Sequence, residues 1–352
     1  MDRNNLTHII SKGHFRLFLI VYLILNVTEG IYAAKTSEPP DNKSNTESKE
    51  GIISSKDFDL LPDGNSFPFW DDQTKYSKVL HVAQKNPKAS DENSGTIERP
   101  FKTISAAARV LQPGEKVIVH EGVYRESVRP LRGGTSNDKM IAYEAAKGEK
   151  VVVKGSEIWK PKLRPSSGWN MRSDPQNGNI QMADIPEELF KAYNPFSIRN
   201  AYHYLTVYGQ PTDPVWMTRA MLFRGAVYIN GVPLKQVYNI NELSKTDSAF
   251  WVEDPGLRLH LRLPKGSDIS NDLIEITARE QIFAPHEYGL GYIRVSGLTF
   301  EHAGDGLPVP QRAAVSTMRG HHWIVENNVI NQVHACGLDI GLQSWDAAKQ
   351  EI

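Results

Sequence analysis

The chain has 352 residues, with 40 Lys and Arg against 41 Asp and Glu, a net charge of −1 and a single cysteine. That balance argues against nucleic acid as a partner, because tracking phosphates needs clustered cations. The lone Cys336 excludes an intramolecular disulfide and any multi-cysteine metal site.

At the N-terminus, Arg3, Lys12 and Arg16 precede the apolar run Leu17–Val27, and small residues follow at Gly30, Ala33 and Ala34. The run has signal-peptide length and falls short of the ~20 apolar residues that span a bilayer. Residues 1–34 are therefore expected to be a signal peptide. The body is then secreted, periplasmic or at the cell surface, with no stable membrane insertion after cleavage; an uncleaved anchor is the alternative. Residues 35–75 are expected to form a flexible linker, since Lys35–Ser55 is polar and cannot bury enough surface to offset its ordering entropy.

From Val79 onward, short β-rich runs alternate with Gly, Pro and Asn. Val117–Val119, Met140–Tyr143 and Val151–Val153 are such runs, bounded by turns at Gln112–Glu115 and Lys147–Glu149. Short, continuously apolar strands suit a stacked parallel arrangement. Phe101–Leu111 instead carries Ile104, Ala107, Ala108 and Leu111 at helical spacing. Residues 76–158 are expected to hold an N-terminal cap and the first rungs of a parallel β-helix.

Residues 159–284 change rhythm. Asn230-Gly231 separates two apolar runs, as a tight hairpin requires. Leu257–Leu263 alternates strictly, so one of its faces is expected to be wet. The reading is a small antiparallel β-sandwich inserted into the helix. Residues 285–352 return to the repeat. Ile293–Phe300 aligns with Trp323–Ile330 at an offset of 30 residues, and Ala314–Thr317 with Leu338–Gly341 at an offset of 24. A period in the twenties, with Asn-Asn at a bend, marks coils of a parallel β-helix. An antiparallel sandwich with similar strand lengths is the alternative.

His81–Val128 resembles the opening of pectin-lyase-like right-handed parallel β-helix proteins, through Gly95-Thr96, Pro100–Ile104, Pro113-Gly114 and Gly122–Glu126. Val227–Leu234, Phe250–Asp268 and Tyr292–Ala303 are similar to secreted bacterial glycoside hydrolases that interrupt their helix with such a module. Among these are the family 120 β-xylosidases and the related family 141 enzymes. The resemblance implies an all-β fold, a right-handed parallel β-helix with a capping helix and an inserted sandwich. It also implies a longer catalytic domain, so this sequence is expected to stop inside the helix.

Glycoside hydrolysis needs two carboxyl groups flanking one bond, about 5–5.5 Å apart for retention and about 6.5–9.5 Å for inversion. Neighbouring strands lie ~4.8 Å apart, so carboxylates on adjacent rungs stand near retaining distance. Asp339, between Leu338 and Ile340, points outward if those neighbours point inward. Resemblance to the xylosidases implies an Asp nucleophile followed by a Glu acid/base, and Asp339 fits the first role; the second is expected beyond Ile352. A solvated strand aspartate is the alternative. His302 and Asp305, in an enlarged loop, are candidate substrate contacts, and a simple turn is the competing reading. Glu301 is a weaker acid/base candidate. Trp345 and Asp346 could form a sugar platform with a hydrogen-bonding carboxylate, or simply core. Arg312 and Arg319 could bind an acidic sugar. No metal and no cofactor are expected, despite His321-His322 and the pair His334 and Cys336.

The leading reading is thus a secreted glycosidase, β-xylosidase-like, acting on an oligo- or polysaccharide. A polysaccharide lyase is disfavoured because Gly289–Trp345 offers no lysine base. A non-catalytic carbohydrate-binding β-helix is the third reading. Oligomeric state is not legible.

Overall fold

The computed structural model describes residues 71–168, 179–190, 193–199, 222–306 and 312–341. The proposed signal peptide and most of the linker therefore lie outside the described residues. The end of that linker does not behave as one. The Asp72 carboxylate accepts from Thr74 N–H and from the Tyr76 hydroxyl, and Gln73 N–H donates to Asn137. These bonds tie residues 72–74 to the body.

The chain runs through β1 (Lys78–Val82), α1 (Ile104–Val110), β2 (Glu115–Val119), β3 (Gly122–Tyr124), β4 (Ile141–Ala145) and β5 (Val151–Lys154). An insert follows: β6 (Ser156–Ile158), β7 (Arg164–Pro165), β8 (Ile180–Asp184), β9 (Val227–Ile229), β10 (Val232–Pro233), β11 (Lys235–Gln236), α2 (Ile240–Leu243), β12 (Ala249–Glu253), β13 (Arg258–Arg262) and β14 (Ile274–Thr277). The last described strands are β15 (Ile293–Ser296), β16 (Thr299–Glu301), β17 (Val315–Ser316), β18 (Ile324–Glu326), β19 (Val329–Asn331) and β20 (Leu338–Asp339).

Outside the insert every pairing between named strands is parallel, and the one antiparallel contact there among the described residues is the isolated Gly306–Arg312 bridge. One sheet runs β1-β2-β4-β15-β18, a second β19-β16-β5-β3, and a third pairs β17 with β20. Parallel bridges extend the third from Val315 to Phe283 and on to Val128. Each pass of the chain visits the sheets in the same order, and residues of like character stack from pass to pass. Leu80, Val117, Tyr143, Val295 and Val325 form one column. Tyr124, Val153, Phe300 and Ile330 form the second, and Val128, Phe283, Val315 and Leu338 the third. Most of these side chains meet in a single apolar core. The opposite parity of the first sheet carries a charge ladder, in which Lys116 and Arg294 pair with Glu144, and Arg294 also with Glu326.

Helix α1 forms where its apolar spacing said it would. Thr103 caps it, accepting from Ala106 N–H, and Asp91 holds that threonine through its hydroxyl and N–H. Ile104, Ala106, Ala107, Ala108 and Leu111 are buried in the core of the stack.

The insert enters between β5 of the second sheet and Phe283 of the third. Two sheets, β10-β9-β14-β6 and β11-β12-β13-β8-β7, enclose a separate core around Phe196, Phe250, Leu259 and Ile276. Asn230 and Gly231 both take positive φ, as the β9–β10 hairpin needs. Three expectations require correction. The pairing is not wholly antiparallel, because β11 runs parallel to β12. The insert begins at Ser156 rather than 159, and Ile282–Ala284 already belong to the stack, since Ile282 and Phe283 pack in its core. The outward face of β13 is not wet at its centre: His260 is fully buried, in tilted ring contact with Trp251 and bonded to Glu253 and Ser166. A strand flanked on both sides, with a tryptophan on the neighbouring strand leaning against its central residue, loses its solvent face there.

Candidate active site between the stack and the insert

The junction is built around charge. Glu275 of β14 is fully buried and ion-paired to Arg125 at 2.6 Å and Lys154 at 3.0 Å, both from the stack. Burial pushes its carboxyl up, but the hydrogen bonds and charges of Arg125 and Lys154 more than reverse this and hold it below the usual range. Ser156 bonds both Glu275 and His302 Nδ1, while His302 Nε2 meets Gln332 at 2.9 Å. Tyr228 stacks on the His302 ring at 3.6 Å and 7°. The crossing depends on Gly155, where an added Cβ would lie 2.6 Å from the His302 carbonyl oxygen.

Beside this cluster lies a cleft of about 500 Å³, lined from the stack by Ser105, Arg125, Glu126, Ser127 and Arg129. Glu188 and Leu189 of a 3₁₀ turn, Phe190 and Tyr193 line it from the insert, and Ala278–Gln281 from the segment that follows β14. Glu126 accepts from the first N–H groups of α1 and from Ser105. Glu157 pairs with Arg279, and Glu280 lies between Arg224 at 3.5 Å and Arg312 at 3.4 Å. Carboxylates, guanidinium groups and an aromatic wall around one concavity are the equipment of a polar-ligand site.

Asp339 is not a wall of this cleft, but one residue, Ala313, connects them. Gln281 Nε2 donates to the Ala313 carbonyl, and Ala313 N–H donates to Asp339. The other Asp339 oxygen accepts from Ser316 Oγ at 2.7 Å. Burial raises its carboxyl above the ordinary range, opposed by the Ala313 N–H and the Ser316 hydroxyl. The expected offset of 24 is corrected to 23: Ser316, not Val315, is opposite Asp339. Ser316 and Asp339 share the face opposite Val315, which packs in the core. The supporting premise also changes, because Leu338 is 39% and Ile340 83% exposed while Asp339 is 7% exposed. Among the described residues β20 pairs only with β17, so its apolar neighbours have no cover on the other side.

His302 and Asp305 do not overhang the surface; both are buried. Burial, then the charge of Lys154, drives His302 down to about 4. Asp305 turns inward to accept the N–H groups of His334, Ala335 and Cys336, and burial raises it to about 6. The expectation failed because the insert packs over this turn, with Tyr193 donating to the Gly304 carbonyl. Trp345 and Asp346 lie outside the described residues. Glu301 stands 3.5 Å from Lys154. His321 and His322 interact with each other and with Tyr292, and among the described residues no group of three potential ligands converges on a metal position. The sequence reading missed Arg129, Arg279, Glu280 and Gln281. The signal for the last three was a polar triplet, Arg279–Gln281, wedged between the buried strand Ile274–Thr277 and the apolar Ile282–Ala284.

The fold resembles that of XylC. The XylC structure, a complex with xylose, matches with a TM-score of 0.59 and 28% identity, over 76% of this chain and 42% of XylC. A solved glycoside hydrolase aligns with a TM-score of 0.38 and 14% identity over 68% of this chain and 53% of its own, too distant to bear on the site. Among curated proteins, the uncharacterized protein YwoF of Bacillus subtilis (strain 168) is 34% identical over 73 residues, 21% of this chain and 15% of YwoF. No family model matches. The chain thus spans less than half of XylC and about a seventh of YwoF.

Proposed function

We propose that this chain belongs to a secreted glycoside hydrolase of β-xylosidase type, its parallel passes wound as a right-handed parallel β-helix and exported through the Leu17–Val27 segment. The observation that carries the reading is the match to xylose-bound XylC at 28% identity across three quarters of the chain. The cleft between stack and insert adds to it, being wide enough for sugar units and lined by groups that bond hydroxyls.

Asp339 is the proposed catalytic carboxylate; it stands outside the cleft wall, so the scissile bond lies at the third-sheet face and the rest of a bound oligosaccharide extends into the cleft. Asp339 is held on both oxygens, a preorganised geometry, on the outward face of the third sheet. The residue opposite it on the preceding pass is Ser316, so a second carboxylate would come from a following pass, one strand spacing of ~4.8 Å away. That spacing favours the retaining reaction, whose carboxyl groups stand about 5–5.5 Å apart. His302 and Asp305 serve in this reading as supports for the turn beside the cleft.

The test uses the full-length protein and an aryl β-xyloside. Asp339→Asn should lower kcat/KM by at least about a hundredfold, the low end of carboxyl-group catalysis, with an unchanged thermal midpoint. Full activity in that variant would remove Asp339 from the mechanism. Formation of an unsaturated uronate from a uronate polymer, with no aryl alcohol released from the xyloside, would replace hydrolysis with elimination.

A further inference from the structure

Around Glu280 the charges do not balance. Arg224 and Arg312 both pair with it, and Arg129 lies in the same electrostatic neighbourhood, so three guanidinium groups share one carboxylate. The Arg224 side chain is only 6% exposed, yet its Nε has no hydrogen-bond partner. Arg312 Nε is likewise buried and unpartnered, as is one terminal nitrogen of Arg279 on the cleft wall. Arg129, also on that wall, makes a 3.5 Å contact with Gln281 Oε1. Burial pushes the Arg129 guanidinium down from its ordinary range, a measure of how poorly its charge is compensated.

Most of the other acids nearby are already engaged, and Glu188 lies on the insert's side of the cleft. Glu157 answers Arg279, Glu126 answers the first turn of α1, and Asp305 is turned toward the backbone of residues 334–336. An arginine cannot shed its proton to relieve such an imbalance, and a half-buried guanidinium fork matches a planar carboxylate.

We propose that the saccharide taken by this cleft carries a carboxylate, as a uronic acid does, and that Arg129, with Arg312 beside it, receives that group. The proposal rests on the glycosidase reading above and names the substrate class for the same cleft. The neutral part of the sugar lies against Phe190 and Tyr193, and the acid group sits on the arginine side of Glu280.

Calorimetry with the full-length protein and two xylo-oligosaccharides of equal length, one neutral and one bearing a single glucuronic acid, tests it. The acidic ligand should bind at least about tenfold more tightly, since a hydrogen bond to a charged group contributes about 1.5–3 kcal/mol. Arg129→Gln should remove most of that preference, weakening the acidic ligand far more than the neutral one. Arg129→Lys should restore only part of it, because the charge returns without the fork. Equal binding of both ligands to the unaltered protein overturns the proposal while leaving the glycosidase reading intact; that comparison decides the matter even if Arg129→Gln fails to fold. Binding of neither ligand overturns both. A sulfated analogue binding as tightly as the glucuronic one would overturn the choice of a carboxylate.

Discussion

The interior of the stack and its junction with the insert solve the same burial problem in opposite ways. Inside the stack, three columns of Val, Leu, Ile, Tyr and Phe repeat from pass to pass, and shape and apolar area hold them together. At the junction, Glu275, Arg125, Lys154, Ser156 and His302 are bonded to one another across the two parts. Apolar columns tolerate sliding, whereas a buried ion pair has one correct partner geometry. The difference teaches that the stack supplies rigidity, while the junction fixes where the insert stands and hence the width of the cleft.

Glu275→Leu probes the junction with the largest expected effect. It strands the charges of Arg125 and Lys154, which should cost about 3–5 kcal/mol. Replacing Glu275, Arg125 and Lys154 together by apolar residues should recover much of that loss in denaturant titrations. A small cost for the single change would mean that the ions are solvated and the junction loose. Phe283→Ala probes the columns, since Phe283 meets Tyr143, Phe300 and Trp323 edge to face. A cavity there should cost about 3–5 kcal/mol, with no recovery from changes at Glu275, because independent sites add.

The smallest effect is in pH. Burial holds His302 and His334 at about 4, whereas an unfolded histidine titrates near ~6.5. Between these values the unfolded chain holds two protons that the folded chain does not, so acidification favours unfolding. Asp305, raised to about 6, acts in the opposite sense between ~4 and 6, because there the folded chain holds the proton. Two imidazoles outweigh Asp305, and Asp339, also raised, is opposed by His260 and Glu275, both lowered, so the thermal midpoint should fall as pH drops through this window, and fall less in His334→Gln. A midpoint that stays level or rises would show these imidazoles to be solvated.

Much of the stack was legible because its strands are short apolar runs between turn residues, and the 30-residue offset between Ile293–Phe300 and Trp323–Ile330 holds in both sheets. The third sheet slipped by one because Ala313–Thr317 is uniformly small and buried, leaving no alternation to set its parity. The cleft was not legible. Arg129 and Gln281 are 152 positions apart, and only the passage of the chain through the insert returns one beside the other. The turn at His302–Asp305 misled for a related reason: polar residues next to glycine signal exposure only when no second module covers them.

A crystal structure of the full-length protein with a xylo-oligosaccharide tests the location of the site most directly. The sugar should lie in the cleft between Arg129 and Tyr193, within hydrogen-bonding reach of Glu280. Ordered sugar on the outer face of the insert, with the cleft holding only water, would contradict it.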